Sequence, residues 1–418
     1  MAPRVTRVTT VLACLLAVVI GFGAASPAGA TTDPLAGLRS AVLNDLRAST
    51  AGQIAVQAQI DGHGSFGLWP TTAQAPASNQ KVFTAVTALS QLGPAFRFVT
   101  AVWTDAPHVN ATGIVGGVLP GNLVLRAAGD PSLRRGDLDN LATVLSRLGL
   151  RTVKGALYVD DGRFAHDSVA PGWKPRFVPD ELGPVAAFSV DRNGWRGDAA
   201  YVADPTPCNA QLWRDALARH GIGVVGPTRI GRPAGAPTAQ LATDGSAPLS
   251  SLVGHMLQAS DNFYAEMLLR EVGAHLTGHG SRATGIQALG AQARAMNVPL
   301  GAVYDGSGLS YWNREAPTEL VAWLRAADAS AIGPALRGGL PRSCFDGTLA
   351  ARLCGPWLTG RVRAKTGTLT AVRTLSGFTA TPDGRRVVFS VLLAGVRDMT
   401  AAQRQLDSAV ARLARFTG

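Results

Sequence analysis

Ser78-Asn79-Gln80-Lys81, Ser260-Asp261-Asn262 and Lys365-Thr366-Gly367 stand in that order along the chain, and their joint reading decides both fold and chemistry. A serine hydroxyl is a poor nucleophile until a base removes its proton. Lys81 follows Ser78 by three residues, a spacing that on a helix places the amine on the same face as the hydroxyl. Only a neutral amine can take the proton, and burial together with a second positive charge at Lys365 pushes a lysine that way. The chain has four lysines, at 81, 154, 174 and 365, and two of them fall inside these strings. The set reads as a serine acyl-transfer site.

Working outward, residues 34–49 have helical spacing of apolar side chains and residues 53–60 alternate as a strand. Residues 78–92 form a helix stopped by Gly93-Pro94, with Ser78 at its start near partially positive backbone N–H groups. Helical runs at 249–257 and 263–276 flank Ser260-Asp261-Asn262, so this triplet occupies a break and can point into a cleft. Residues 372–380 and 386–394 are apolar and β-rich around Thr381-Pro382-Asp383-Gly384, a hairpin, with Lys365-Thr366-Gly367 on a strand edge just upstream. Residues 400–416 make a last amphipathic helix. Between the first two motifs, short apolar runs at 114–119, 123–127 and 155–159 are interrupted by a helix at 137–148. These predict a mixed α/β (α+β) catalytic domain, made of 31–98 and 242–418, with an inserted β-rich domain over 99–241. Gly62, Gly64 and Gly67 match a G-x-G-x-x-G, but Leu68-Trp69-Pro70 follows where a dinucleotide fold needs a helix, so the match is discounted.

At 418 residues and 46% apolar content, the chain can bury a sizeable core in more than one domain. Arg4 and Arg7, an apolar run over 8–25 and Ala28-x-Ala30 predict a signal peptide over 1–30, cleaved after Ala30. The run is short for a spanning helix, and no later segment is long enough, so no transmembrane segment is expected after cleavage. Cleavage takes away two arginines and no acids, lowering the formal charge from +11 to +9. That suits acidic wall polymers or membrane surfaces. Nucleic acid is not expected, because the arginines are scattered rather than clustered with aromatics. Of three remaining cysteines, Cys344 and Cys354 are close in sequence and in an oxidising compartment, which predicts a small-loop disulfide and leaves Cys208 unpaired. The seven histidines show no metal-ligand spacing, so no metal and no cofactor is expected.

In an acyl transfer, Ser78 is the nucleophile and Lys81 its base. Ser260 relays a proton towards the leaving amine, and Asn262 hydrogen-bonds the substrate amide and Lys81. Asp261 reads as a buried structural group. Lys365 and Thr366 hold a substrate carboxylate, and Gly367 lets substrate backbone approach the strand. Backbone N–H groups of Ser78 and Thr368 hold the oxyanion.

The ordered motifs are a signature of penicillin-binding proteins and class A β-lactamases. The chain resembles, over nearly its whole mature length, the class C low-molecular-mass penicillin-binding proteins, the D-Ala-D-Ala carboxypeptidase/endopeptidase family. Ala128-Gly129-Asp130-Pro131-Ser132-Leu133, Val190-Asp191-Arg192-Asn193, Asp305-Gly306-Ser307-Gly308-Leu309-Ser310 and Asp346-Gly347-Thr348-Leu349 are similar to that family's secondary signatures. The resemblance implies a penicillin-binding/β-lactamase-like transpeptidase domain. It also implies peptidoglycan stem peptides as substrates, β-lactams as covalent inhibitors, an exported, wall-associated location, and a part for Asp130 in reading the stem. Two features depart from the family. Ser78 and Ser260 are only 182 residues apart, so one inserted domain is missing or reduced, and Tyr311 stands where members often carry an Arg, leaving Arg314 as a replacement. The competing readings are a serine β-lactamase, a wall-binding protein without catalysis, and a nonspecific esterase. Against the first, Glu181 is the one glutamate between the first two motifs and lacks the expected Glu-x-x-Leu-Asn.

Overall fold

A computed structural model describes residues 33, 35–107, 110–194 and 204–418; the expected signal peptide lies outside them. The chain opens with helix α1 (Ala36–Arg47) and a hairpin of β1 (Gln53–Ile60) and β2 (Gly64–Leu68). A single 3₁₀ turn, Ala77–Asn79, then runs into α2 (Gln80–Leu92). Ser78 therefore lies in a tight turn just ahead of the α-helix instead of on its first residue. Ten consecutive residues of α2, Gln80 to Leu89, are buried, as in a helix enclosed on every side. Gly93 ends it with φ 85°, a left-handed value that costs glycine little.

The next stretch carries two sheets. Its strands are β3 (Val99–Thr104), β4 (Val118–Leu119), β5 (Leu123–Arg126), β6 (Thr152–Val153), β7 (Leu157–Asp160), β8 (Gly223–Val224), β9 (Thr228–Ile230) and β10 (Ala239–Gly245). Its helices are α3 (Arg135–Arg147), the short α4 (Phe177–Asp180) and α5 (Thr206–Arg219). One sheet has the order β10-β3-β5-β7-β9 and the other β4-β6-β8. Val99 pairs with Gly245, so the strands that enter and leave this region lie side by side. The β5-β7-β9 and β4-β6-β8 pairings are parallel, which demands crossovers. Helices α3 and α5 lie within those crossovers. The stretch expected to be β-rich with one helix carries eight strands among its described residues, with the short α4 and α5 in addition to the expected helix. The missed helix, α5, opens Thr-Pro-Cys-Asn and buries Thr206 and Asn209 ahead of Ala210, Trp213, Ala216 and Leu217, so its apolar period starts only past the first turn.

The chain returns through α6 (Leu249–Gln258), α7 (Asn262–Thr277), α8 (Arg282–Met296), α9 (Pro317–Asp328) and α10 (Gly333–Gly339). It ends with β11 (Arg363–Leu369), β12 (Val372–Ala380), β13 (Arg386–Ala394) and α11 (Met399–Ala414). The main sheet is antiparallel in the order β11-β12-β13-β1-β2. Alternate side chains of β13 explain its continuous apolar sequence. Val387, Phe389, Val391 and Leu393 pack with Val42, Leu46, Leu406 and Leu413 of α1 and α11. Val388 and Leu392 point to the opposite core, with Phe83 of α2 and Trp323 of α9. Each such burial stabilises by about 1.5–3 kcal/mol. That second core also takes in Leu123, Leu125 and Val159 of the parallel strands and Leu268 of α7. Cys344 and Cys354 form a disulfide, and Cys208 is free and exposed. Among the described residues no helix is long and apolar enough to cross a membrane.

Candidate active site

The 3₁₀ turn at Ser78, the α6–α7 break and edge strand β11 meet at a cleft of about 570 Å³. Ser78, Ser260, Asn262, Thr366 and Thr368 line it. The turn is held from behind. The Asn79 side-chain amide donates to Thr374 Oγ1, and Thr374 Oγ1 donates to Pro76 O at 2.9 Å. A Cβ on Gly367 would run into Thr374 Oγ1 and meet Pro76 O at 2.9 Å and Ala77 Cβ at 3.1 Å. The glycine therefore admits the turn that carries Ser78.

Lys81 Nζ lies 3.1 Å from Ser78 Oγ, 2.7 Å from Asn262 Oδ1 and 2.6 Å from Ser307 O. A neutral amine has two N–H groups and one lone pair. Asn262 Oδ1 and Ser307 O can accept the two N–H groups, leaving the lone pair for the Ser78 hydroxyl. Lys81 is fully buried, and burial lowers its pKa to about 8, against the upward pull of Asp305, Asp261, Glu266 and Glu181. Lys365 is equally buried and is held well below its ordinary range by burial and by the Lys81 charge. Its ammonium donates to Ser260 Oγ at 2.8 Å and to Thr366 O at 2.9 Å. No carboxylate is among these partners.

Ser260 has φ 56°, a strained value for serine of the kind that collects at functional positions. Asp261 caps α7 by accepting from Tyr264 N at 3.1 Å and pairs with Arg192 and His255, each at 3.0 Å. Burial opposes its charge, but the His255 hydrogen bond and the Arg192 charge hold its carboxyl below the usual range. The structural role expected for Asp261 is the one it has. Asp130 is apart from this cluster. It is buried, and its carboxylate accepts from Ser132 N and Oγ at 2.8 and 2.6 Å without lining the cleft.

Four groups at the site were not assigned roles from sequence. Thr348 accepts from Thr366 Oγ1 at 2.7 Å. Ser307 offers its carbonyl, which no side-chain pattern reveals. Lys174 lines the cleft, donates to Thr370 Oγ1 at 2.9 Å and sits 5.1 Å over the Tyr311 ring. Glu181 lines the cleft beside Asn262, whose Nδ2 is 3.4 Å from its carboxylate. Arg314, the expected replacement at Tyr311, is turned to the carbonyls of Tyr311 and Asn313, and Lys174 is the cation facing the cleft there. Among the described residues no group of three or more His, Cys, Asp or Glu is arranged to hold a metal.

Comparison with known proteins matches the D-Ala-D-Ala carboxypeptidase 3 (S13) family model over residues 68–198 and 196–416. The chain is 28% identical to a D-alanyl-D-alanine carboxypeptidase of Actinomadura sp. (strain R39), over 82% of this chain and 77% of that one. It is 30% identical to a carboxypeptidase of Mycobacterium tuberculosis, over 76% and 70% respectively. The crystal structure of penicillin binding protein 4 from Haemophilus influenzae is similar with TM-score 0.78 and 25% identity, over 90% of this chain and 99% of that one. The same protein complexed with a β-lactam is similar with TM-score 0.74.

Proposed function

The chain belongs to the D-Ala-D-Ala carboxypeptidase 3 (S13) family, and we propose that Ser78 is the nucleophile with which it opens the terminal D-Ala-D-Ala bond of a peptidoglycan stem. It is a serine-type D-Ala-D-Ala carboxypeptidase, a penicillin-sensitive hydrolase. The observation that carries the site assignment is Lys81 Nζ within hydrogen-bond reach of Ser78 Oγ, with Asn262 Oδ1 and Ser307 O as its other partners. Neutral Lys81 takes the Ser78 proton as Oγ attacks the carbonyl carbon. Backbone N–H groups of Ser78 and Thr368 receive the oxyanion, a large electrostatic contribution in such reactions. Lys365 and Thr366 hold the terminal carboxylate. Ser260, which accepts from Lys365 Nζ, passes a proton to the leaving D-Ala amine, and water then resolves the acyl-enzyme. The stem backbone adds along β11, the outermost strand of its sheet. A part for Asp130 in reading the peptide stem would be played outside this cleft, whose lining does not include it.

We read residues 99–241 as an insertion between the two parts of the peptidase domain, and place the protein in the exported, wall-associated compartment where cross-linked stems are found. Trimming of a terminal D-Ala and cleavage of a cross-linked neighbour differ only in the group that leaves. Release of D-Ala from a pentapeptide stem, set against scission of a cross-linked dimer, measures the preference.

The test of the site is intact mass against time after mixing the purified protein with benzylpenicillin, alongside Ser78→Ala. A persistent adduct on the parent, absent from the variant, is expected. No adduct, with the drug unconsumed, would sink the acyl-transfer assignment and favour a wall-binding protein. Rapid loss of drug without a lasting adduct would favour β-lactamase turnover, for which Glu181 lies beside Asn262.

A further inference from the structure

Behind the cleft, α7 carries a fully buried ion pair that the acyl-transfer chemistry does not touch. Glu266 and Arg270 are each about 1% exposed, and Arg270 Nη1 lies 3.2 Å from Glu266 Oε2. Arg270 is itself fixed by Asp167, with Nη2 2.7 Å from its carboxylate. The other oxygen of Glu266 accepts from the backbone N–H groups of Gly306 and Ser307, both at 2.9 Å. The same loop is held from its other side by Asp305, which accepts from Gly308 N at 2.9 Å and Trp173 Nε1 at 2.7 Å. Thr84 of α2 donates to Gly306 O at 2.8 Å. Pinned in this way, the loop presents Ser307 O to Lys81 Nζ at 2.6 Å.

We propose that Glu266 is a positioning residue for the general base: by gripping the Gly306 and Ser307 amides it fixes the Ser307 carbonyl, which takes one Lys81 N–H and turns the amine lone pair towards Ser78 Oγ. The proposal rests on Lys81 being the base. A buried charge on a loop-holding side chain costs free energy, and an apolar residue or a hydroxyl at this place on α7 would avoid that cost. What the carboxylate adds is two charge-assisted bonds to adjacent amides and a negative charge close to Lys81. The charges around Lys81 come from every element packed there: Asp305 on the loop, Asp261 and Glu266 on α7, Glu181 beside α4, and Lys365 on β11. Burial pushes the Glu266 pKa up, aided by Asp305, while Arg270 pulls it back. Its donor-only partners, two amides and a guanidinium, match the ionised form.

The experiment measures the rate of benzylpenicillin acylation from pH 6 to 10 for the parent, Glu266→Gln, Gly306→Ala and Lys81→Met, with thermal melting as the check of folding. Glu266→Gln keeps an acceptor for the amides but removes the charge and disturbs the Arg270 contact. Its alkaline plateau falls about 10- to 100-fold, and the inflection moves to lower pH by about one unit as an attractive charge is lost. Gly306→Ala changes no charge, yet its Cβ meets Ala265 O at 2.8 Å and Leu269 Cβ at 2.9 Å, pushing the loop off α7. Its plateau falls by a similar factor while the inflection stays. A folded Glu266→Gln with the parent's plateau and inflection overturns the proposal. If that variant does not fold, a parent-like plateau in Gly306→Ala overturns it instead. Lys81→Met acylated at the parent's rate would remove the premise that Lys81 is the base, a separate failure that this comparison identifies.

Discussion

Acylation of Ser78 should climb with pH as Lys81 loses its proton. With burial holding that amine at about 8, the neutral fraction is about 1% at pH 6, 9% at pH 7, 50% at pH 8 and 91% at pH 9. The second-order rate constant for benzylpenicillin therefore rises roughly 90-fold from pH 6 to pH 9, with unit slope below the inflection. The drug's carboxylate is ionised throughout this range, so the rise belongs to the protein. Quenched samples at low drug concentration, read by intact mass, give the constant for the free enzyme. Lys81→Arg cannot deprotonate in this range; it should abolish the slope and lower the rate at pH 9 by about 100-fold or more. A flat profile in the parent, or a rate that falls as pH rises, would refute the neutral-amine argument even if Ser78 proved to be the labelled residue.

Gly367→Ala forces a methyl group into Thr374 and the Pro76–Ala77 turn, so it should cost about 1–3 kcal/mol in unfolding free energy and slow penicillin labelling; an unchanged melt and rate would contradict the packing. Replacing Cys344 and Cys354 by Ser opens a loop of sequence separation 10, a loss of about 3 kcal/mol by chain entropy. Because Thr348 sits in that loop and accepts from Thr366, KM for a stem peptide should rise more than kcat falls. Leu406→Ala, under the main sheet and away from the cleft, should cost about 2–5 kcal/mol in a denaturant titration while leaving the acylation rate within twofold.

Much of this arrangement was legible because the informative residues lie at element boundaries. Residues 53–60, 372–380 and 386–394 form strands with those limits, since alternation and continuous apolar runs mark burial on one face or two. The break at Ser260-Asp261-Asn262 was legible because helical periodicity stops and restarts around it. The parallel strands between β3 and β10 were harder. Several are two to four residues long and leave little pattern, and the apolar period of α5 starts only past its first turn. At the cleft, Ser78, Ser260, Asn262 and Thr366 come from the three motifs, whereas other lining groups carry no such pattern. Ser307 contributes a carbonyl, and Lys174 and Glu181 reach the cleft from a loop whose path only the tertiary fold determines. Gly367 shows a subtler limit. Its small size reads as a need for space, but sequence could not say that Thr374 Oγ1 and the Pro76–Ala77 turn press on it.

The sheet order β11-β12-β13-β1-β2 also has a consequence for how the protein comes into being. A ribosome delivers Ser78 early, yet β1 gains its inner neighbour only when residues 386–394 have been made, and Lys365 arrives shortly before. Pairings between the first and last strands are slow to find because the loop between them is long. During synthesis, Ser78 is thus carried by a chain that has neither the Asn262 and Ser307 partners of Lys81 nor Lys365. The three motifs therefore come together only once the last strands of the main sheet are in place.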